Sequence, residues 1–236
     1  MKFYIQTIGG KIEHDFSFTL LKAIEFQSWS GNEIDFILSD EISDKIDFNE
    51  YCPIGSVEFV CNWYAKFYNK QPKPVNIPER LLGYEYTKRN CQYLNLPCKN
   101  ISVERMFLKD TEKIKNPLNG EYKSNRLDKL PSGRYFASEL INIDSEYRCF
   151  VYNNTLVGIQ YYSGDFTIFP DMDFIKKTIN DSISFAPPAY TLDVGISELG
   201  TFIIEMHDFF SCGLYGFSDL RKLPFMFFRS HKNLIQ

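Results

Sequence analysis

Tyr190-Thr191-Leu192-Asp193-Val194-Gly195-Ile196-Ser197-Glu198-Leu199-Gly200-Thr201-Phe202-Ile203-Ile204-Glu205-Met206-His207 reads as two strands and a turn. Apolar runs over 190–196 and 201–207 flank Glu198-Leu199-Gly200, a hairpin signal. Each run carries charge where an apolar residue would be expected. Asp193 sits near the middle of the first strand, and Glu205 and His207 near the end of the second. Residues two apart in a strand share a face, and antiparallel pairing brings Asp193 towards them. Carboxylates converging at a sheet end repel unless a cation intervenes. Mg²⁺ takes oxygen ligands and commonly bridges carboxylates to nucleotide phosphates. Lysines are few on these strands, so a divalent ion is the expected partner. The competing reading is that each residue lines a solvated strand end.

Working outward, 147–152 and 156–162 form a second hairpin across Asn153-Asn154. A helix is expected over 172–185, and another over 218–230, with Pro224 a point of interruption. Upstream, 134–141 and 103–109 read as strands. Between them, 110–130 is polar, with Lys113, Lys115, Lys123, Arg126 and Lys129, and is expected to include a mobile loop. A helix is expected over 81–94. Pro72, Pro74 and Pro78 make 71–78 an extended linker and place a domain boundary there. Residues 1–75 read as a compact α/β unit. It has a strand over 1–8 ending at Gly9-Gly10, a helix over 16–28, a strand over 32–39, and a helix opened near Gly55-Ser56. Ser56 is a candidate cap. The N–H groups near it form either an anion site or an ordinary loop-to-helix join.

Composition narrows the function classes. A chain of 236 residues with 44% apolar content suits one large domain or two small ones sharing a cleft. The 22 Phe and 15 Tyr fit core filling better than a base-stacking surface. A net charge of −4 without a Lys/Arg run argues against duplex binding. The six Cys form no C-x-x-C pair and the three His no cluster, which disfavours structural zinc. No signal pattern opens the chain, and no apolar run approaches the roughly 18 residues a bilayer requires. The expectation is a cytoplasmic protein with no membrane partner and reduced thiols.

Three further features carry chemistry. Lys109 ends the apolar run Met106-Phe107-Leu108, so its ammonium projects into a cleft or simply into solvent. Lys109-Asp110-Thr111-Glu112 is not the K-x-D-G box of covalent nucleotidyl transfer, which leaves non-covalent phosphate contact. Glu139 with Leu140 and Ile141 could present backbone groups to an adenine edge while the apolar side chains pack on the ring. Arg148 opens an otherwise apolar strand after Glu146-Tyr147. Its guanidinium needs a partner, either a transferred phosphate or a structural carboxylate.

Taken together, the series Lys109, Glu139-Leu140-Ile141, Glu146-Tyr147-Arg148, Asp193 and Glu205-Met206-His207 resembles the ATP-grasp superfamily. The twelve-residue step from Asp193 to Glu205 is similar to the ribosomal-protein glutamate ligase branch. Residues 190–195, with Gly213-Leu214-Tyr215-Gly216 and Gly55-Ser56-Val57-Glu58-Phe59, resemble a small ATP-grasp clade of bacteria and their phages. The resemblance covers most of 50–236. It implies an α/β (α+β) fold in which a pre-ATP-grasp α/β domain, 1–75, precedes a two-subdomain ATP-grasp domain, 76–236. The subdomains would span about 76–135 and 136–236. It implies ATP with Mg²⁺ or Mn²⁺ as cofactors. It also implies an ADP-forming ligase that joins a small-molecule or peptide carboxylate to an amine through an acyl phosphate. Lys109 and residues 139–141 would hold the nucleotide, Arg148 the transferring group, and Asp193, Glu205 and His207 the metal. The family pattern has Asn where this chain has His207. Metal preference has then shifted towards softer ions, or Asp208 substitutes, or His207 contacts substrate. The alternatives are a non-catalytic ATP-binding or inhibitory protein, and an ATP-grasp enzyme acting on nucleic acid.

Overall fold

The structure is a computed structural model and describes residues 1–98 and 104–236. Its first sheet is parallel. Strand β1 (Lys2–Gln6) is flanked by β2 (Asp35–Ser39) and β3 (Tyr51–Ile54), in the order β2-β1-β3. Parallel neighbours need a crossover, and α1 (Asp15–Trp29) supplies the first. Alternation along β1 divides its side chains between two faces. Phe3 and Ile5 pack with Leu20, Ala23 and Ile24 of α1. Tyr4 packs with Phe59, Val60, Trp63 and Tyr64 of α2 (Val57–Tyr68). Ser56 starts α2 as expected, its hydroxyl accepting from the Phe59 N–H at 3.1 Å.

The expected helix over 81–94 does not form. A single 3-10 turn at Glu79–Leu81 and the four-residue α3 (Tyr84–Thr87) are followed by β4 (Cys91–Leu96). The left-handed Lys88, φ 51°, ends α3, and β4 then pairs antiparallel with β7 (Gly133–Ser138). Cys91 and Tyr93 alternate as a strand requires, and the edge that β7 offers supplies the pairing partner. The other strands of this second sheet are β5 (Arg105–Asp110) and β6 (Gly120–Lys123), in the order β4-β7-β5-β6. The expected start of the third strand at Val103 lies outside the described residues. The polar stretch 110–130 opens with turns over 111–119. It contains β6 and a 3-10 turn at Ser124–Lys129, anchored by the buried Leu127. The expected strand over 134–141 stops at Ser138, so Glu139, Leu140 and Ile141 lie on the irregular connection to the third sheet.

That third sheet is antiparallel: β8 (Ser145–Tyr152), β9 (Thr155–Gly164), β10 (Ala189–Ser197) and β11 (Gly200–Asp208), in the order β11-β10-β8-β9. Both expected hairpins are present. Asn153 and Asn154 take φ values of 46° and 60° at the β8–β9 turn. The helix α4 (Met172–Ser182) covers one face through Ile175 and Ile179. The tail helix α5 (Leu223–Ile235) carries Pro224 in its first turn, where proline replaces an N–H that would have no partner, so it starts this helix and does not interrupt it. The core around Phe3 and Ile5 continues through Phe150 of β8 to Met226 and Phe227 of α5, so the first and third sheets share apolar packing. All six cysteines are free thiols. Among the described residues no helix is long and apolar enough to cross a membrane.

Candidate functional site

Strand register assembles the site. Arg148 on β8 lies opposite Asp193 on β10, and Asp193 lies opposite Glu205 on β11, giving one transverse row over three strands. A bulge between Asp193 and Val194 is what brings Glu205 into that row. From the facing sheet, Lys109 at the end of β5 reaches Glu205 in an ion pair. The two sheets therefore meet at this row. A cavity of about 340 Å³ opens there, lined by Lys109, Arg148, Glu205, His207 and Asp208. Tyr215, Lys113 and Lys115 also line it, as do Asn76 and Val57 from the N-terminal half of the chain.

Each carboxylate in the row is neutralised by a protein cation. Arg148 donates to both oxygens of Asp193, Nε at 2.8 Å and Nη2 at 2.7 Å, and its Nη1 donates to the Gly213 carbonyl at 3.1 Å. Asp193 is only 2% exposed. Burial pushes its carboxyl up, the two Arg148 hydrogen bonds act against that, and the Arg148 pKa rises despite burial because Asp193 faces it. For Glu205, burial opposes ionisation, but His207 at 2.9 Å and Lys109 together hold its carboxyl far below the usual range. The sequence expectation looked for cations on β10 and β11 alone and found few, whereas the structure pairs these acids with cations from other strands. The cations come from β8 and from β5 in the other sheet. Asp208 is different: burial raises its carboxyl to about 6, and its Oδ1 has no hydrogen-bond partner among the described residues.

The structure brings five of the singled-out residues together: Lys109, Arg148, Asp193, Glu205 and His207. It does not place Glu139, Leu140 and Ile141 on that cavity's wall. The Glu139 carboxylate instead accepts from the Asn90 backbone N–H at 2.9 Å and from its side-chain Nδ2 at 2.8 Å, which lowers its pKa. The segment runs along the connection between the second and third sheets.

Sequence reasoning missed the aromatic support of Arg148. The Tyr215 and Tyr162 ring centroids lie 5.1 and 5.8 Å from its guanidinium carbon, and the two rings stack at 5.0 Å. Tyr162 also donates to Glu146 at 2.8 Å. The Glu146-Tyr147-Arg148 spacing and the β8–β9 turn offered a signal for Tyr162. Asn76 had none, since its backbone contact with Met206 joins residues far apart in the chain.

Residues 107–223 match the family described as ATP-grasp domain, R2K clade family 2. No curated protein sequence matches the chain. Among solved structures, D-cycloserine synthetase DcsG superposes with a TM-score of 0.58 at 9% identity, covering 99% of this chain and 100% of that one. A RimK domain protein ATP-grasp from Sphaerobacter thermophilus gives 0.55 at 9% identity, covering 100% and 99%. D-alanine–D-alanine ligase from Bacillus anthracis gives 0.53 at 10% identity, covering 100% and 98%. At these identities the likeness is one of fold.

Proposed function

The chain belongs to the ATP-grasp superfamily, and from that premise we propose that it is an ATP-dependent carboxylate–amine ligase. One observation carries the reading: the row Arg148–Asp193–Glu205 meets Lys109 of the facing sheet at a single cavity. In the proposed reaction a substrate carboxylate oxygen attacks the terminal phosphorus of ATP and ADP leaves. An amine then attacks the acyl carbon, phosphate leaves, and the amine loses a proton. The protein positions the reactants and neutralises charge on the transferring phosphoryl group. We take 1–75 as the pre-grasp domain and 76–236 as the ATP-grasp domain, with subdomains meeting near 135–136.

In this reading Lys109 moves from Glu205 to the nucleotide phosphates. Residues 139–141 meet the adenine, and Leu140 is partly exposed to do so. Arg148 presents its remaining N–H groups to the acyl phosphate. Among the described residues no group of three or more His, Cys, Asp and Glu is arranged to hold a metal as the structure stands; in this proposal Glu205 regains a free oxygen for a divalent ion once Lys109 is drawn away, with Asp193 and His207 beside it. Such an ion would offset phosphate charge, and the imidazole suits Mn²⁺ better than Mg²⁺. The substrates in this proposal are small-molecule or peptide carboxylates and amines.

A second reading, a non-catalytic ATP-binding protein, draws on the complete neutralisation of Asp193 and Glu205 by protein cations. Incubation with ATP, Mg²⁺ or Mn²⁺ and an amino-acid pool, followed by mass spectrometry, separates the two. ADP with a new amide supports the ligase. ATP bound and recovered unchanged supports the second reading.

A further inference from the structure

Asn76 is buried with no evident structural task for its side chain. It is 2% exposed, and its Nδ2 has no hydrogen-bond acceptor among the described residues. Burying an unpaired amide is costly, and native structures seldom tolerate it without a reason. Its backbone is fixed in the left-handed region, φ 56°, by a bridge to β11 in which the Asn76 carbonyl accepts from the Met206 N–H at 2.7 Å. The residue lines the cavity that holds Lys109 and Glu205.

The first residue of α2, Val57, lines the same cavity. Ser56 caps the Phe59 N–H, so the N–H groups of Val57 and Glu58 are left without partners among the described residues. Free N–H groups at a helix start favour an anion. Two independent features, an unpaired buried amide and an open helix start, thus border one space. We propose that Asn76 and the start of α2 form an oxyanion subsite in the cleft, taking the oxygens of a carboxylate or phosphoryl group. Lys113 and Lys115 line the same cavity, as do the acids Asp110, Glu205 and Asp208. The subsite rests on the ligase reading for its role: it would hold the acid to be activated or the phosphate transferred to it.

Calorimetric titration of the full chain with inorganic phosphate, and separately with ADP and Mg²⁺, tests this. Asn76→Asp keeps size but places a negative charge at the amide. Val57→Pro deletes one N–H at a helix position where proline is accommodated. Each variant should weaken phosphate binding on the order of tenfold, the scale of one hydrogen bond to a charged group. Unchanged ADP affinity would assign the subsite to the acid substrate, and a matching loss to the nucleotide phosphate. Both outcomes support the subsite. Phosphate affinity unaltered in folded variants, or no phosphate binding by the parent protein, overturns it. Should Asn76→Asp fail to fold, Val57→Pro decides alone. If the parent protein binds phosphate in a variant-sensitive way but neither ADP nor ATP, the ligase reading fails and the subsite stands.

Discussion

At the scale of single residues, the site is a set of paired charges whose partners differ in how readily they exchange. Lys109 is partly exposed, and in the proposed function it leaves Glu205 for a phosphate. Lys109→Ala should therefore weaken ATP binding by roughly 1.5–3 kcal/mol, and calorimetry giving the parent affinity would remove it from the nucleotide site. Arg148 is buried and bound on three sides. Arg148→Ala leaves the Asp193 carboxylate buried without its partner, and a stability loss of about 3–5 kcal/mol in urea unfolding is expected. Arg148→Lys retains charge but loses the fork, so turnover should fall more than ATP affinity. His207→Asn exchanges a ring nitrogen for an amide oxygen. Turnover with Mg²⁺ should be kept or rise, while the parent protein works at least as well with Mn²⁺; a strict loss of Mg²⁺ activity in the variant would argue that His207 serves the substrate instead.

At the scale of elements, strand ends and helix starts place the chemistry. The register of β8, β10 and β11 sets Arg148, Asp193 and Glu205 in a row, and only the bulge at Asp193 keeps Glu205 in it. The connection 139–141 is irregular because β7 ends at Ser138; the Glu139 N–H donates to the Asn90 carbonyl at 2.9 Å, so in the proposed reading the backbone groups of Leu140 and Ile141 meet the adenine edge. Exchanging those three residues should alter the preference of ATP over GTP. A nucleotide-bound structure with the base far from them would end that assignment. Ser56→Ala removes the α2 cap and should cost about 1 kcal/mol in chemical unfolding.

At the scale of the whole molecule, α5 ties the C-terminal chain back onto the N-terminal sheet. His231 of α5 is buried against Tyr64 of α2, with the hydroxyl 2.9 Å from Nδ1, and burial lowers its pKa to about 4. The unfolded chain takes up a proton near pH 6.5, before the folded chain does. Stability is therefore full above that pH and declines as pH falls through the window from 6.5 to about 4. The accumulated loss amounts to about 3 kcal/mol, a shift of some 2.5 pH units at 1.36 kcal/mol each. His231→Gln should flatten the dependence of melting temperature on pH across that window. An unchanged slope would place the acid sensitivity in other groups.

The division between sequence and structure follows the range of the forces involved. Hairpins at Asn153-Asn154 and Glu198-Leu199-Gly200, the Ser56 cap and the strands and helix of the α/β N-terminal unit expected over 1–39 depend on turn chemistry and alternation, which act over a few residues. They were legible, as was the order of Lys109, Arg148, Asp193 and Glu205 along the chain. The strand β4 was not, because its pairing with β7 is supplied by residues some forty positions away. Nor was the identity of each charge's partner. Arg148 and Asp193 are 45 residues apart, and Lys109 and Glu205 are 96 apart and in different sheets. Spacing shows that acids converge on a strand end. Only the packing of one sheet against another decides which cation meets them, because side-chain electrostatics act over a few ångströms of space and not along the chain.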